Sequence, residues 1–194
     1  MESNRSPNLR TRPKCLIPDA DVIIELHRIG QWSRVCNAVA VVVPGTVARQ
    51  EALYYQLVDW SGAASSVPIR LEEQVTQGLF VVEDVLMSEL DAVRAELAPA
   101  VVKGLHPGEL EALAIVRRNP EHVLCTGDAA AVKALTYVGL APRGISLEQL
   151  LRSCGLPGKG LFQQFTEERY REMARAASID RVQGRGSARD LLRR

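Results

Sequence analysis

The sequence predicts an α/β protein built on an open, mostly parallel sheet, with helices on its faces and a helical C-terminal extension. Three observations lead to this prediction. Short apolar, β-branched runs alternate with helical patterns along residues 14–155. The run 38–44 is continuously apolar, as in a parallel strand that is covered on both faces. With 194 residues, 46% of them hydrophobic, the chain is long enough to bury one complete core.

Strands and helices follow one another along the chain, with Gly or Pro at many of the boundaries. In chain order, the first half is predicted to contain a strand at 14–18, a helix at 21–30, a strand at 38–44, a helix at 45–57, a loop at 59–68, a further helix and a strand at 79–85. The second half is predicted to contain helices at 87–97 and 106–116, a strand at 123–127, a helix at 128–140, and a last strand and helix within 142–156. Such alternation favours a parallel sheet, because each crossover between parallel strands needs a long connection, usually a helix.

Cysteine usage and the N-terminus exclude several classes of protein. The four cysteines are Cys15, Cys36, Cys125 and Cys154. They form no CxxC pair, so neither a zinc site nor a disulfide framework is indicated, and a reducing cytoplasm fits best. Residues 1–13 are polar and basic, are predicted to be flexible, and lack the apolar stretch of an export signal. No stretch approaches the roughly 18 apolar residues of a membrane span, so no membrane partner is expected.

The formal net charge of +1 hides a segregation of charge along the chain. Residues 1–14 contain four basic residues and one acidic residue, a net charge of +3, and residues 156–194 contain nine and five, a net charge of +4. The stretch between them contains eleven basic and seventeen acidic residues, a net charge of −6. An acidic centre between basic ends is either ordinary surface chemistry or a cation site with basic arms that contact a polyanion.

Four carboxylates fall where the predicted fold would bring them to one edge of the sheet. Asp19 and Asp128 each follow a predicted strand directly. Glu109 begins a predicted helix, and Glu51 lies one or two turns inside another, from where its side chain could reach back toward the same edge. Ligands of an open parallel sheet bind beyond the carboxyl ends of its strands, so these four side chains could converge there.

Each of the four acids also has an ordinary structural interpretation. Asp is a common helix N-cap, which suits Asp19 and Asp128, and Glu51 could be a solvated helix residue. All of these interpretations would have to hold together, however, and four like charges at one edge repel each other unless a cation neutralises them. Oxygen ligands without His or Cys partners select Mg²⁺ or Mn²⁺. The three histidines of the chain are assigned no role, because a histidine in a helix or turn is usually structural.

Glu109 and Glu111 cannot both face one site, since residues two apart on a helix point about 200° away from each other. Glu109 falls on the side where large apolar residues such as Leu113 turn inward, and Glu111 falls beside Arg118. The sequence therefore predicts that Glu109 supplies the carboxylate of the site and that Glu111 is mainly a surface residue. Helix electrostatics alone also favour glutamates in a first turn.

Each of the four acids lies in a separate segment of the sequence. The segments are CLIPDADVIIELHRIGQW, VVVPGTVARQEAL, LHPGELEALAIV and LCTGDAAAVKALTYVGLAP, which span about residues 14–152. In order and spacing they resemble the acidic motifs of PIN-domain proteins, and the third is closest to the branch with a GExEA-type motif. Thr126 matches the T-x-D pattern of the fourth motif. Ala20 stands where many members have Ser or Thr, and Gly127 where Asn or another polar residue is frequent.

The resemblance implies a PIN-like three-layer fold over residues 14–155, with a central, mostly parallel sheet flanked by helices. It implies a VapC-like ribonuclease that hydrolyses RNA phosphodiester bonds with Mg²⁺ or Mn²⁺. The acids carried over as catalytic and metal-binding residues are Asp19, Glu51, Glu109 and Asp128, and the candidates to support them are Asp21, Thr126 and Glu111. A role as a toxin–antitoxin effector would add a cognate antitoxin as a partner, and a homodimer is a further expectation. The alternative is a non-catalytic PIN module that binds RNA or protein.

Residues 156–194 extend beyond the usual length of the family. They predict an amphipathic helix over 161–177, followed by a flexible Gly/Arg-rich tail. In one interpretation the helix packs on the domain or on a second copy through Leu161, Phe162, Phe165 and Tyr170. In the other, the extension contacts RNA phosphates. The candidate RNA contacts are Arg175, Arg181, Arg185, Arg189, Arg193 and Arg194.

Overall fold

A computed structural model describes residues 14–16, 19–58 and 60–188, and it has an α/β fold, as the alternating patterns predict. In chain order the strands are β1 (Lys14–Leu16), β2 (Ala40–Pro44), β3 (Tyr54–Val58), β4 (Ala64–Pro68), β5 (Val81–Glu83), β6 (Val123–Cys125) and β7 (Gly144–Ile145). Five of them form one sheet in which every pairing is parallel, while β3 and β4 form a separate antiparallel hairpin. The predicted flexible N-terminus, residues 1–13, lies outside the described residues, as does the end of the chain beyond Ala188.

Four of the helices in the described residues begin at an N-cap residue whose side chain caps the first turn. In chain order the helices are α1 (Ala20–Arg28), α2 (Trp32–Ala38), α3 (Leu71–Thr76), α4 (Met87–Arg94), α5 (Pro99–Val102), α6 (Pro107–Arg118), α7 (Ala129–Tyr137), α8 (Leu147–Ser153) and α9 (Glu167–Val182). The side-chain caps of α1, α7, α8 and α9 are Asp19, Asp128, Ser146 and Thr166. The short helices α2 and α5 lie in segments for which the sequence predicts no element. Within the described ranges, no helix is both long and apolar enough to cross a membrane.

The order of the strands decides where a ligand can bind. Across the sheet the order is β5-β2-β1-β6-β7, with Cys15 in register with Val41 on one side and with Val123 on the other. The chain builds the sheet outward from β1 in one direction, through β2 and β5, and then in the other, through β6 and β7. This reversal opens a crevice between the carboxyl ends of β1 and β6, where open α/β sheets bind their ligands.

Both faces of the sheet are covered by helices. In β2, Val41 and Val43 belong to one apolar cluster, which includes side chains of α1, α2 and α8. Val42 points to the opposite face and belongs to a second cluster, which includes side chains of α4, α6 and α7. All residues of β2 are buried, which explains its continuous apolar run. The layers are therefore helix, sheet and helix.

The hairpin of β3 and β4 contradicts two predictions. The predicted helix at 45–57 is wrong in its second half, because the helical residues 45–51 end with the π-helical turn Val47–Glu51 and Tyr54–Val58 is a strand. The predicted loop at 59–68 is wrong in its second half, because Ala64–Pro68 pairs with β3. Tyr, Leu and Val fit a pleated strand as well as they fit an apolar helix face, so a short apolar run does not decide between the two.

The C-terminal extension packs on the rest of the chain. Its helix α9 begins at Glu167 and not at 161, and it continues to Val182, beyond the predicted end at 177. Phe165 and Tyr170 are buried, and Tyr170 packs with side chains of α7. Among the apolar residues predicted to pack, Phe162 is 54% exposed.

Residues 183–188, which follow α9, are also held in place. The Ala98 N–H donates to the Gly186 carbonyl oxygen at 2.9 Å, and the Ala188 N–H donates to the Glu96 carbonyl oxygen at 2.9 Å. Backbone pairing of this kind is not a property of a loose tail. The predicted flexible tail is therefore wrong for the part of it that the structure describes.

Candidate functional site

Asp19 lies just beyond β1, at the crevice, and caps α1. Its Oδ1 atom accepts a hydrogen bond of 3.0 Å from the Val22 N–H, which is the ordinary role of an N-cap carboxylate. Its Oδ2 atom accepts a hydrogen bond of 2.9 Å from the Thr126 hydroxyl, which comes from the end of β6. Asp19 is 9% exposed. The N-cap interpretation holds for Asp19, and the second oxygen adds a contact that capping does not require.

Asp128 occupies the matching position beyond β6 and caps α7. Its Oδ1 atom accepts hydrogen bonds of 2.6 and 3.0 Å from the N–H groups of Ala130 and Ala131. Its own N–H donates to the Thr126 hydroxyl oxygen at 3.0 Å, and the same hydroxyl donates to Asp19. Thr126 is completely buried. One threonine therefore connects the two aspartates across the crevice.

Glu109 reaches the same crevice from the first turn of α6. Its carboxylate accepts a hydrogen bond of 2.8 Å from the His106 backbone N–H, so it caps its own helix. It is 2% exposed and forms a hydrogen bond with the carboxyl group of Asp128. Helix electrostatics explain a glutamate in this turn.

The environment of Glu109 disfavours its charged form. Burial raises the pKa of Glu109 to about 8, and the charge of Asp128 adds to the rise. The His106 N–H stabilises the carboxylate and opposes the rise, whereas the hydrogen bond with Asp128 and the charge of Asp19 increase it. At neutral pH, Glu109 therefore holds a proton that an exposed glutamate would have lost.

Asp19 is affected in the same direction. Burial raises the pKa of Asp19 to about 7, although the Val22 N–H and the Thr126 hydroxyl both stabilise its carboxylate. The charges of Asp21 and Asp128 raise the pKa further. Two carboxyl groups with raised pKa values at one crevice indicate more negative charge than the buried surroundings can support without a counter-charge.

Glu51 lies at the end of the π-helical turn that follows β2. Its Oε1 atom accepts a long hydrogen bond of 3.4 Å from the Gly108 N–H, at the start of α6. A Cβ atom at Gly108 would lie 2.6 Å from Glu51 Oε2 and 2.5 Å from a methyl group of Val47. Gly108 is therefore required by the close approach of Glu51 to α6. Single π-helical turns of this kind frequently occur at functional sites.

The four predicted acids line one cleft of about 240 Å³. Its lining residues are Asp19, Ala20, Asp21, Glu51, His106, Glu109 and Asp128. Asp21 is exposed in the first turn of α1 and adds a fifth carboxylate. Ala20 contributes no side-chain polar atom, in contrast to the Ser or Thr of the motif that it resembles. The structure thus brings together the four acids that the sequence predicts at this edge of the sheet.

His106 lines the cleft, although sequence reasoning assigns it no role. Its position directly before Pro107 and Glu109 makes it the N-cap residue of α6, a signal that the sequence does contain. His27 differs, because its ring stacks on Trp32 and Tyr55 at centroid distances of 5.4 and 5.8 Å. Burial lowers the pKa of His27 to about 4, as expected for a histidine that packs in a neutral form.

The lining acids are the ligand type that a divalent cation prefers, but they are not arranged to coordinate one as they stand. In the ranges that the structure describes, no three His, Cys, Asp or Glu side chains are arranged to hold a metal ion as they stand. The donors nevertheless suit a hard cation, since the acidic lining offers carboxylate oxygens and no sulfur. Asp128 and Glu109 each use one oxygen to cap a helix, and a carboxylate has a second oxygen to offer a ligand.

Glu111 is not the surface residue that the helical spacing predicts. Its Oε2 atom accepts a hydrogen bond of 2.9 Å from the Thr46 N–H, and its Oε1 atom accepts one of 2.6 Å from the Thr46 hydroxyl. Thr46 directly precedes the π-helical turn, so Glu111 ties this turn to α6. Glu109 and Glu111 do face different partners, as predicted. The surface assignment is wrong because the partner of Glu111 is 65 residues away in the sequence.

The candidate RNA-contacting arginines are mixed with acidic residues. Arg175 and Arg181 are exposed on α9, and Arg185 forms an ion pair of 2.7 Å with Asp180. The shallow surface beside Arg175 is lined by Glu148, Arg152, Glu167, Glu168, Arg171 and Glu172. Arg189 lies outside the described residues, as do Arg193 and Arg194. The described surface of the extension is therefore of mixed charge rather than uniformly basic.

Comparison of the chain with protein-family models and with curated proteins found no match to either. The chemistry of the cleft therefore carries any assignment of function.

Proposed function

We propose that this protein is a metal-dependent ribonuclease with a PIN-like fold, which hydrolyses RNA phosphodiester bonds with Mg²⁺ or Mn²⁺. One observation carries the proposal. Carboxyl groups from four separate elements line one cleft at the reversal of strand order. Like charges repel, and burying them in one place costs stability, so such a cluster is typical of a site that binds a cation or performs chemistry.

The roles of the residues follow from their contacts. Asp19, Glu51, Glu109 and Asp128 would hold the cation. A divalent ion bound there supplies a Lewis acid that offsets phosphate charge and acidifies a water molecule. Thr126 donates to the Asp19 carboxylate and accepts from the Asp128 backbone N–H, which would orient the Asp19 oxygens relative to the start of α7 before the ligand arrives. The acidic cleft repels phosphate when no cation is bound, so the cleft would bind a phosphodiester only together with its metal.

The finer assignments depend on the resemblance of the sequence motifs. The parallel sheet with helices on both faces and the order of the acids along the chain support a PIN-like fold. The preference for RNA, the cytoplasmic location, the homodimer and the toxin–antitoxin role with a cognate antitoxin are proposals on the resemblance alone. They go beyond the cation-dependent cleavage of a phosphodiester, which the cleft itself supports.

A second candidate is a non-catalytic module that keeps the fold and binds RNA or protein. It is favoured by the finding that no three potential ligands in the described residues are in place to hold a metal ion. In that case the acids would serve as helix caps, a role that Asp19, Glu109 and Asp128 do perform. The two candidates differ in whether Mn²⁺ binds and whether RNA is cut.

Metal-dependent cleavage tests the first candidate. Purified protein should cleave members of a mixed RNA panel with Mn²⁺ or Mg²⁺, and EDTA should stop the cleavage. Mn²⁺ should also raise the melting temperature, since a ligand of the native state stabilises it. Asp19→Asn should lose both effects while circular dichroism shows that its fold is retained.

The control for this experiment is Asp91→Asn. The Asp91 side chain is 63% exposed on α4, pairs with Arg94 at 3.1 Å and is not among the residues that line the cleft. This variant should cleave RNA and respond to Mn²⁺ as the parent does. If wild type and Asp19→Asn degrade the panel at the same background rate, the nuclease proposal is wrong. Stabilisation by Mn²⁺ without cleavage would favour the non-catalytic module.

A further inference from the structure

The C-terminal segment 160–165 packs against the turn 126–128, which carries two residues of the proposed site. A Cβ atom at Gly127, in the middle of this turn, would lie 2.7 Å from Phe165 Cδ1 and 3.1 Å from the Gln164 carbonyl oxygen. Gly127 does not have a positive φ angle, so the glycine is needed for close approach and not for its backbone conformation. The Phe165 ring occupies the space that a side chain at position 127 would fill.

Phe165 is itself fixed by the core. It is 2% exposed and belongs to the apolar cluster that contains Cys125 of β6 and Leu147 of α8. A short 3₁₀-helical turn, Gln163–Phe165, presents the ring to the core. The ring therefore packs between the apolar core and Gly127. Because the core fixes the ring, the ring in turn restricts the position of the turn.

Helix α1 holds the other end of the segment. Glu25 is buried and binds the guanidinium group of Arg28 through two hydrogen bonds of 2.6 Å. The Phe162 N–H donates to Glu25 at 3.2 Å, and Arg28 donates to the Gly160 carbonyl oxygen and lies 4.2 Å from the centroid of the Phe162 ring. A buried carboxylate such as that of Glu25 is costly unless it is paired and hydrogen-bonded, and the segment 160–165 adds one of its hydrogen bonds. Asp19 is the N-cap residue of the same helix, α1.

We infer that the segment 160–165 is a positioning element of the carboxylate site, in which Phe165 holds the turn 126–128 so that Thr126 and Asp128 face Asp19. The chemical meaning of this inference rests on the proposed function. Its physical basis is that glycine leaves a turn more conformational freedom than any other residue does. Packing of the ring on Gly127 removes that freedom and orders the residues on both sides. The extension is therefore part of the site.

Two matched phenylalanine variants test the inference. Phe165→Leu removes the ring beside Gly127. Phe80→Leu removes the ring of a phenylalanine that is also 2% exposed but packs edge-on against Trp32, at a centroid distance of 5.4 Å. Both variants lose core packing, and both should lower the free energy of unfolding. Only the first changes a residue that contacts the turn 126–128.

The two variants should differ at the site. In Phe165→Leu, the amides of Asp128 and Ala130 should lose hydrogen-exchange protection relative to the rest of the protein. Its Mn²⁺ affinity, measured by titrating the melting temperature, should fall by about tenfold or more, the usual effect of losing a group that orients a metal ligand. Phe80→Leu should leave the relative protection of these amides and the Mn²⁺ affinity unchanged.

A rescue experiment separates positioning from a general loss of stability. Gly127→Ala places a methyl group against the ring and should weaken Mn²⁺ binding in the same way. Adding Phe165→Leu makes room for that methyl group. The double variant should therefore bind Mn²⁺ more tightly than Gly127→Ala alone, which is a non-additive effect expected only for residues in contact.

Equal effects of Phe165→Leu and Phe80→Leu on exchange at Asp128 and on Mn²⁺ affinity would overturn the inference and leave Phe165 a packing residue. Failure of the wild-type protein to bind Mn²⁺ at all would count against the proposed function instead. The exchange comparison does not depend on metal, so it would still decide whether the segment 160–165 orders the turn.

Discussion

The hydroxyl group of Thr126 connects the carboxyl group of Asp19 to the backbone of Asp128. It donates a hydrogen bond to Asp19 and accepts one from the Asp128 N–H, which a hydroxyl can do at the same time. Because Thr126 is completely buried, loss of the hydroxyl would leave these partners without water to replace it, at a cost of about 1–3 kcal/mol for each buried unpaired group. A single residue thus links the two segments that carry these acids, which follow different strands.

The raised pKa values of two carboxyl groups predict how stability depends on pH. Asp19 and Glu109 have folded-state pKa values of about 7 and 8, above their ordinary values of 3.8 and 4.5. The folded protein therefore holds protons that the unfolded chain has already lost, and the free energy of unfolding should fall as pH rises through about 7 and 8. Urea unfolding without metal should show a loss on the order of a few kcal/mol, since one pKa unit is worth about 1.4 kcal/mol.

His27 has the opposite effect on stability at lower pH. Its pKa is lowered from 6.5 to about 4, so it makes stability rise with pH below about 6.5 and contributes nothing above it. Between about pH 6.5 and 8.5 the carboxyl groups act without this opposing effect. Asp19→Asn should flatten the fall in that range, and Asp91→Asn should follow the parent. A metal-free protein whose stability rises across the range would contradict the burial of these acids.

The acids that could be predicted from sequence are those whose position depends on local structure. Asp19 and Asp128 each follow a strand and cap the next helix, so a pattern of a few residues places them at the sheet edge. Glu111 could not be assigned in this way, because its role depends on Thr46 in a distant segment. The packing of Phe165 on Gly127 likewise depends on tertiary structure, and no local pattern reveals it.

At the scale of elements, Glu111 couples α6 to the π-helical turn that carries Glu51. Thr46→Val keeps the size of the side chain but removes the hydroxyl donor, whereas Thr46→Ser keeps the donor. Thr46→Val should weaken Mn²⁺ binding and slow cleavage about tenfold, because Glu51 loses the fixed start of its turn. Thr46→Ser should remain close to wild type. Titration of the melting temperature with Mn²⁺ and a cleavage assay at saturating Mn²⁺ would measure the two effects.

A substitution of Glu111, the partner of Thr46, tests the same contact from the other side. Glu111→Ala removes both acceptors of Thr46 and should resemble Thr46→Val. It should also cost about 1–3 kcal/mol in urea unfolding, since it leaves the Thr46 N–H without its charged partner. If Glu111→Ala has the Mn²⁺ affinity and stability of the wild type, Glu111 is only the surface residue that its helical spacing predicts.

The predictions of secondary structure are correct where the sequence has a single interpretation. They are wrong where contacts with distant residues determine the structure. The continuous apolar run of β2 has one interpretation, a strand covered on both faces. Residues 45–57 contain Tyr and Leu at spacings that suit a helix, yet Tyr55 stacks on His27 of α1 and its strand pairs with β4. These contacts stabilise the hairpin, and none of them is visible in a short stretch of sequence.

The C-terminal extension shares a core with the domain that precedes it. Tyr170 and Met173 of α9 pack with Val132 of α7, and a Cβ atom at Gly144 of β7 would overlap the Tyr170 hydroxyl. The predicted boundary between residues 155 and 156 therefore divides segments that pack together. Composition marks the extension as basic, but composition does not report where its apolar residues are buried.

The segregation of charge along the chain predicts that the basic C-terminal end contacts RNA phosphates. Deleting residues 178–194 cannot test it, because the deletion also removes the hydrogen bond of 3.2 Å between Tyr137 and Asp180 and the pairing of Gly186 with Ala98. Neutralising only the arginines beyond Ala188 avoids this problem. The triple variant carries Arg189→Gln, Arg193→Gln and Arg194→Gln. Its melting temperature should equal that of the parent, since none of the described contacts is removed.

If these arginines contact phosphates, the triple variant should bind single-stranded RNA more weakly, and its affinity should depend less on salt. The slope of log affinity against log salt should become shallower by about 0.7 for each phosphate that an arginine no longer neutralises. A control that removes three exposed cations elsewhere carries Arg34→Gln, Arg70→Gln and Arg94→Gln. Net charge changes equally in both variants, so a shallower slope in the first alone assigns the phosphate contacts to the end of the chain. Equal slopes in the two variants would mean that RNA responds only to overall charge and that the basic end makes no specific contact.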